Sequence, residues 1–210
     1  MIKKKQSRTC IAAIKTSNGK IMMAADRRSS WDFSQAQKMP RAKIRSRDGL
    51  ILAGTGDGAL CYQIVDNLKF REYPYEEWGF EDEYLNNIFY NDVIKLLKSK
   101  GYVDVDAGLH PILKIPVESA TEILICIHRR LYSLQIFNPH PEADYPNGLV
   151  TIDELGVPYA TGCGGQLAWG SLLTTMDLGM KPKERLAIAL NVAAQVSPGC
   201  DNNIDYIIGD

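Results

Sequence analysis

Between residues 9 and 54 the chain carries four short apolar runs cut by turn-forming residues, a pattern that strand hairpins satisfy. Residues 9–14 (TCIAAI) alternate small and apolar side chains, Ser17-Asn18-Gly19 supplies turn chemistry, and residues 21–25 (IMMAA) form a dense apolar run suited to a buried strand. The polar segment 27–40, which ends in Pro40, reads as a loop at the sheet edge. Residues 43–47 and 50–54 then form a second strand pair around Arg47-Asp48-Gly49. A hydroxyl at Thr9, a carboxylate at Asp26 and an amine at Lys43 are thereby expected to converge at one end of a sheet.

Beyond Gly54, a glycine-rich turn places Asp57 to cap a helix whose apolar residues Leu60, Ile64, Val65 and Leu68 fall at helical spacing. Residues 70–79 are aromatic, acidic and proline-bearing, as in a surface connection. A longer helix follows over 81–98, with Leu85, Ile88, Phe89, Val93, Leu96 and Leu97 on one stripe and Lys100-Gly101 at its end. Residues 102–120 show no period and contain Pro111 and Pro116, so no element is assigned there. Residues 123–128 and 131–137 flank Arg129-Arg130 as a second hairpin, with His128 beside the turn and facing solvent, and 138–148 is a proline-rich loop. A short strand at 157–161 runs through Thr161-Gly162-Cys163-Gly164-Gly165 into a helix, where close packing explains the glycines. A fourth helix covers 183–196 after Pro182, Ser197-Pro198-Gly199 stops it, and 204–208 closes the chain as a strand. Strands, two helices, strands, two helices and a strand predict an α+β fold, a four-layer αββα sandwich, as one domain over 9–210 behind a tail or propeptide at 1–8.

At 210 residues, 45% of them hydrophobic and 23% charged, the chain has the composition of a globular protein with a real core. Its formal charge of −1, with positive residues scattered apart from the MIKKKQSR start, argues against nucleic-acid binding. No apolar run approaches the roughly 20 residues of a membrane helix, and the start lacks the apolar centre of a secretory signal. A cytoplasmic protein is expected. The five cysteines have no CxxC spacing and an odd count, and the three histidines have no metal-type spacing, so reduced thiols and no metal are expected. No cofactor motif appears, and without a Walker-type loop any ATP use would belong to a partner.

Taken together, these residues resemble the β-type subunits of proteasomes and the related bacterial ring proteases, which are N-terminal-nucleophile hydrolases. The resemblance runs from Thr9 to the end of the chain. It rests on a threonine opening a small-residue strand, on Ala24-Ala25-Asp26-Arg27-Arg28 closing the next strand, and on Lys43-Ile44. Ala53-Gly54 before Gly56-Asp57-Gly58 and the late Gly162-Cys163-Gly164-Gly165 turn complete it. The order and spacing of these motifs, more than any one of them, carry the likeness. It implies Thr9 as nucleophile, Asp26 and Lys43 as its supporting pair, and the Gly54 amide as oxyanion donor. It also implies self-assembly into rings, polypeptide substrates and an ATP-driven unfoldase as a possible partner.

The chain departs from that pattern in several places. Thr9 acquires a free α-amine only if the Arg8-Thr9 bond is cut, and Arg8 stands where such precursors carry glycine. The first hairpin turn is one residue longer than the family pattern, which counting from Cys10 as nucleophile would repair, although that frame puts Lys15 at an apolar strand position. The late supporting positions, acidic and serine in many relatives, are Ser197 and Cys200, and Cys163 replaces the serine of the glycine-rich turn. A threonine peptidase in a self-assembled ring is the leading expectation. A noncatalytic, unprocessed ring-forming homologue and an amidohydrolase built on Cys10 are the alternatives.

Overall fold

Apolar periodicity becomes layers in the computed structural model, which describes residues 9–30, 36–38, 42–74, 79–104, 112–113, 120–137 and 149–209. The expected tail at 1–8 and the proline-rich loop at 138–148 lie outside the described residues.

The first hairpin forms as read. Strand β1 (Cys10–Lys15) pairs antiparallel with β2 (Ile21–Asp26), Lys15 lying opposite Ile21 across a turn closed by the Thr16 N–H to the Lys20 carbonyl. Strand β5 (Ile44–Arg47) pairs with β6 (Leu50–Thr55), and β9 (Thr121–Ile127) with β10 (Arg130–Phe137). With β11 (Leu149–Leu155), β12 (Tyr159–Gly162) and β13 (Ile204–Ile208) these strands make two sheets, ordered β12-β1-β2-β13 and β11-β10-β9-β6-β5.

Period-two alternation then decides which layer each side chain joins. Ile11 and Ala13 of β1, with Met23 and Ala25 of β2, meet Ile51, Ala53, Leu124 and Cys126 of the second sheet. The alternate residues Cys10, Ala12, Ile14 and Ala24 face outward against two helices, α4 (Gly165–Thr174) and α5 (Pro182–Val196), through Ala168, Leu172, Leu190 and Ala193. On its other face the second sheet carries α1 (Gly58–Cys61) with a wide π turn at Tyr62–Asn67, and α2 (Glu81–Tyr84) leading through a π turn at Leu85–Phe89 into α3 (Tyr90–Ser99). Leu52, Ile123 and Ile125 meet Leu60, Ile64, Phe89 and Val93 in that layer. The four-layer αββα sandwich expected from the sequence is therefore the fold. Each large aliphatic side chain so enclosed contributes about 1.5–3 kcal/mol.

Four readings change. The segment taken as a loop at 27–40 contains a small hairpin, β3 (Arg28–Ser30) with β4 (Ala36–Lys38), and unassigned residues 102–120 contain β7 (Val103–Asp104) paired with β8 (Ile112–Leu113). Strand β11, absent from the sequence reading, is an edge strand paired with β10 alone and half polar (LVTIDEL), which hides it among loop residues. His128, expected in solvent, is half-buried: its ring stands edge-on to Tyr73 and its Nδ1 lies 3.0 Å from Glu81 Oε1, tying the hairpin turn to the start of α2. Asp57 does cap α1, accepting from the Ala59 and Leu60 N–H groups.

The glycines around α4 make a direct test. A Cβ at Gly164 would stand 2.7 Å from both Ala193 Cβ and Cys200 Sγ, whereas one at Gly170, inside the helix, meets nothing within 4 Å. Gly164→Ala should cost about 1–3 kcal/mol in urea unfolding. Gly170→Ala should stabilise by up to about 1 kcal/mol through helix propensity.

Candidate active site

Thr9 sits immediately before β1 and continues the Ile11-Ala13 face, so its side chain points between the sheets, where only 7% of the residue is exposed. Asp26 ends the neighbouring strand and is fully buried. Lys43 precedes β5 in the opposite sheet and extends across the gap. Its Nζ lies 2.8 Å from Thr9 Oγ1 and 2.8 Å from Asp26 Oδ1, and donates a third hydrogen bond to the Arg28 carbonyl. Three of the residues expected to converge do so.

An ammonium has three N–H donors and each here has an acceptor, so Lys43 holds its positive charge in a set direction. Asp26 is equally saturated. Its Oδ1 accepts from the Cys10 N–H at 2.8 Å as well as from Lys43, and its Oδ2 accepts from the Arg28 and Asp201 N–H groups at 3.1 and 3.3 Å. Burial raises the Asp26 pKa above its ordinary 3.8, and the charge and hydrogen bond of Lys43, with the Cys10 and Arg28 amides, pull the other way. The extra hairpin residue is absorbed without breaking this contact: the long Lys43 side chain reaches Thr9 Oγ1 while the Cys10 amide, one residue later, docks on Asp26.

Cys10 faces the other way. Its thiol is fully buried in the layer against α4 and α5, opposite to Lys43. Near it lie the two other expected thiols: Cys163 Sγ is 3.6 Å from Cys200 Sγ, and Ser197 Oγ donates to Cys163 Sγ at 3.3 Å. The Thr9 N–H is a further donor to Cys163. Cys163, with Ser197 and Cys200 against its sulfur, thus stands beside the Thr9 nitrogen. Gly162 makes the approach possible, because a Cβ there would lie 2.0 Å from the Thr9 carbonyl oxygen, and its φ of +90° is one that glycine alone adopts easily. Asp201 turns its carboxylate to the Arg27 and Asn203 N–H groups, and Asp205 pairs with the Arg27 guanidinium.

Gly54 lies at the end of β6 opposite Ile123, with its Cβ direction turned to Cys61 and the helical layer. The next residue, Thr55, points the opposite way, its Oγ1 3.2 Å from the Cβ position of Gly162 beside Thr9. Thr55 was not singled out from the sequence. Neither was Glu122, whose carboxylate accepts from Ser133 Oγ at 2.7 Å, Tyr159 OH at 2.9 Å and Thr161 Oγ1, clamping β12 of one sheet to β9 and β10 of the other. Strand alternation in the motif around Gly54 could have found Thr55. Glu122 carries no local signal, since its partners come from two distant strands.

This architecture is that of the proteasome-like N-terminal-nucleophile hydrolases. The structure of BPH from Thiobacillus denitrificans in complex with epoxomicin matches with a TM-score of 0.67 at 16% identity, over 96% of this chain and 98% of that one. HslV from Trypanosoma brucei matches at 0.56 and 14% identity, over 95% and 98% of the two chains. Anbu from Yersinia bercovieri matches at 0.55 and 12% identity, over 96% and 81%. No protein-family model and no curated protein matches the sequence.

The raised Asp26 pKa has a signed consequence. The folded state holds this proton more tightly than the unfolded chain, so the contribution is fully present below the ordinary carboxylate value of 3.8 and is lost as pH rises through the folded value. Urea unfolding of wild type and Asp26→Asn across that range should show the wild-type advantage shrinking as pH rises. A difference that grows with pH would show a depressed Asp26 pKa instead.

Proposed function

We propose that this chain is a subunit of a threonine peptidase that cleaves polypeptides inside a self-assembled ring, with Thr9 as nucleophile once the Arg8-Thr9 bond is cut. The observation that supports it most is the single Lys43 ammonium held 2.8 Å from both Thr9 Oγ1 and Asp26 Oδ1. A threonine hydroxyl is a weak nucleophile. Beside it a fixed positive charge favours the alkoxide, and the free α-amine, with a pKa near ~8, takes the proton at neutral pH. Asp26 holds the ammonium in place. Oγ1 then attacks the peptide carbonyl, a backbone N–H at the end of β6 (Gly54 in this reading) receives the oxyanion, the amine product leaves with the proton, and water hydrolyses the resulting ester.

Apolar surface on the α4 side supports the assembly. Trp169 and Leu173 of α4, with Met176 and Leu178 just after it, are exposed together, a concentration that a monomer has no use for. Burying them between copies would leave the strand ends and the Thr9 site free for substrate. A polypeptide must be unfolded to enter such an enclosure, which is the role assigned to an ATP-driven partner. Among the described residues no helix is long and apolar enough to cross a membrane.

Intact mass and N-terminal sequencing of purified wild type and Thr9→Ala test the nucleophile. Wild type should begin at Thr9 while the variant keeps residues 1–8, and epoxomicin should add its mass to wild type alone. A full tail on both after assembly leaves a noncatalytic ring as the better description. Lys43→Ala should lower peptide turnover by on the order of 10³-fold, the scale of losing one preorganised charge or donor. Sedimentation should show Leu173→Asp/Leu178→Asp as smaller assemblies than wild type.

A further inference from the structure

Under the Thr9 nitrogen the chain has sulfur where a hydroxyl or carboxylate would serve as well for hydrogen bonding. Cys163 is exposed in the turn between β12 and α4, and Cys200 is buried in the connection between α5 and β13. Their sulfurs are 3.6 Å apart. A disulfide requires about 2.05 Å, so closing it calls for an approach of roughly 1.5 Å between two residues in turns, with no strand pairing of their own to break.

We propose that Cys163 and Cys200 are a redox modification site, converted by a hydroperoxide into a reversible disulfide that removes the sulfur partner of the Thr9 nitrogen. The Cys163 thiol gives up its proton, its thiolate attacks one oxygen of hydrogen peroxide and the O–O bond breaks, giving a sulfenic acid and a hydroxide that takes up that proton as water. Cys200 sulfur then attacks the sulfenic sulfur, the S–O bond breaks, and a second water leaves as the disulfide forms. Two thiols lose two electrons and two protons, and the peroxide takes them up.

Position separates this pair from the other thiols. Cys10 also neighbours Cys200, yet it is fully enclosed, lies on a strand paired on both sides, and has its N–H fixed on Asp26. Peroxide therefore meets Cys163 first and Cys200 resolves the product. Cys61 and Cys126 belong to the layers around the second sheet. Hydrogen bonding among the three neighbouring thiols, with burial, pushes Cys163 up and Cys200 up to about 12, so the reaction runs through a small thiolate fraction and needs excess oxidant. The consequence for catalysis rests on the threonine-peptidase reading, whereas the bond itself does not.

Full-length protein is treated with excess hydrogen peroxide, alkylated, and measured by intact mass and non-reducing peptide mapping. Loss of two hydrogens, protection of two of the five cysteines from alkylation, and a peptide linking Cys163 to Cys200 that dithiothreitol releases are expected. Cys200→Ser should instead gain oxygen at Cys163, as the sulfenic acid or its sulfinic and sulfonic successors, with no hydrogens lost to a bridge, and Cys163→Ser should leave residue 200 unbridged. No loss of hydrogens, or a bridge to Cys10 or between two molecules, overturns the proposal. Where the reduced protein cleaves peptides, the oxidised form should lose about 10²-fold, the scale of an ångström misplacement, and regain it on reduction. Inactivity of the reduced protein would count against the peptidase reading and leave the mass result to decide the disulfide.

Discussion

A buried ion pair between Lys43 and Asp26 sets the terms for the rest of the structure. Taking two charges out of water costs several kcal/mol each unless attraction and hydrogen bonds replace the lost solvation. Here every acceptor site of the carboxylate and every donor of the ammonium is matched, but the matching groups come from five separate places: the Thr9 hydroxyl, the Cys10 amide, the Arg28 amide and carbonyl, the Asp201 amide and the lysine itself. Both sheets and the connection before β13 must therefore be in register for the pair to be tolerated. The site and the fold are stabilised by the same contacts, and neither can shift far without exposing a bare charge to an apolar interior.

That coupling also assigns work within the site. Lys43 has no donor left over, so it stands as a fixed charge beside Thr9 Oγ1, and in the proposed mechanism proton transfer therefore falls to the nitrogen of Thr9. The surroundings of that nitrogen are where this protein differs from the pattern it resembles. Thiols at Cys163 and Cys200 are softer and weaker hydrogen-bond acceptors than a carboxylate. Ser197 and the close approach at Gly162 keep the group assembled despite the exchange.

Much of the fold was legible because its signals are local. The Thr9-to-Gly54 hairpins, the Asp57 cap, the stripe of Leu85, Phe89, Val93 and Leu97, and Pro182 at the start of α5 each depend on residues within a few positions of one another. Strand β11 was missed because an edge strand with one partner has a weak apolar pattern, and the small pairs β3-β4 and β7-β8 are too short to show a period. His128 was misplaced because the partners that bury it, Tyr73 and Glu81, lie some fifty residues away.

Taken by itself, the sequence determined the order of the longer hairpins and helices, the αββα class and Thr9, Asp26 and Lys43 as candidate site residues, since periodicity and motif order are properties of the chain in one dimension. Only the tertiary structure set Thr9 and Cys10 apart, Thr9 against Lys43 and Cys10 against the helices. Adjacent strand residues point to opposite faces, and the face that receives Thr9 is the one across which Lys43 reaches from another sheet. Tertiary structure likewise brought the Asp201 amide to Asp26, tied Glu122 between the two sheets and set Cys163 beside Cys200. Those placements depend on the packing of strands and turns from opposite ends of the chain, for which no local spacing gives a signal.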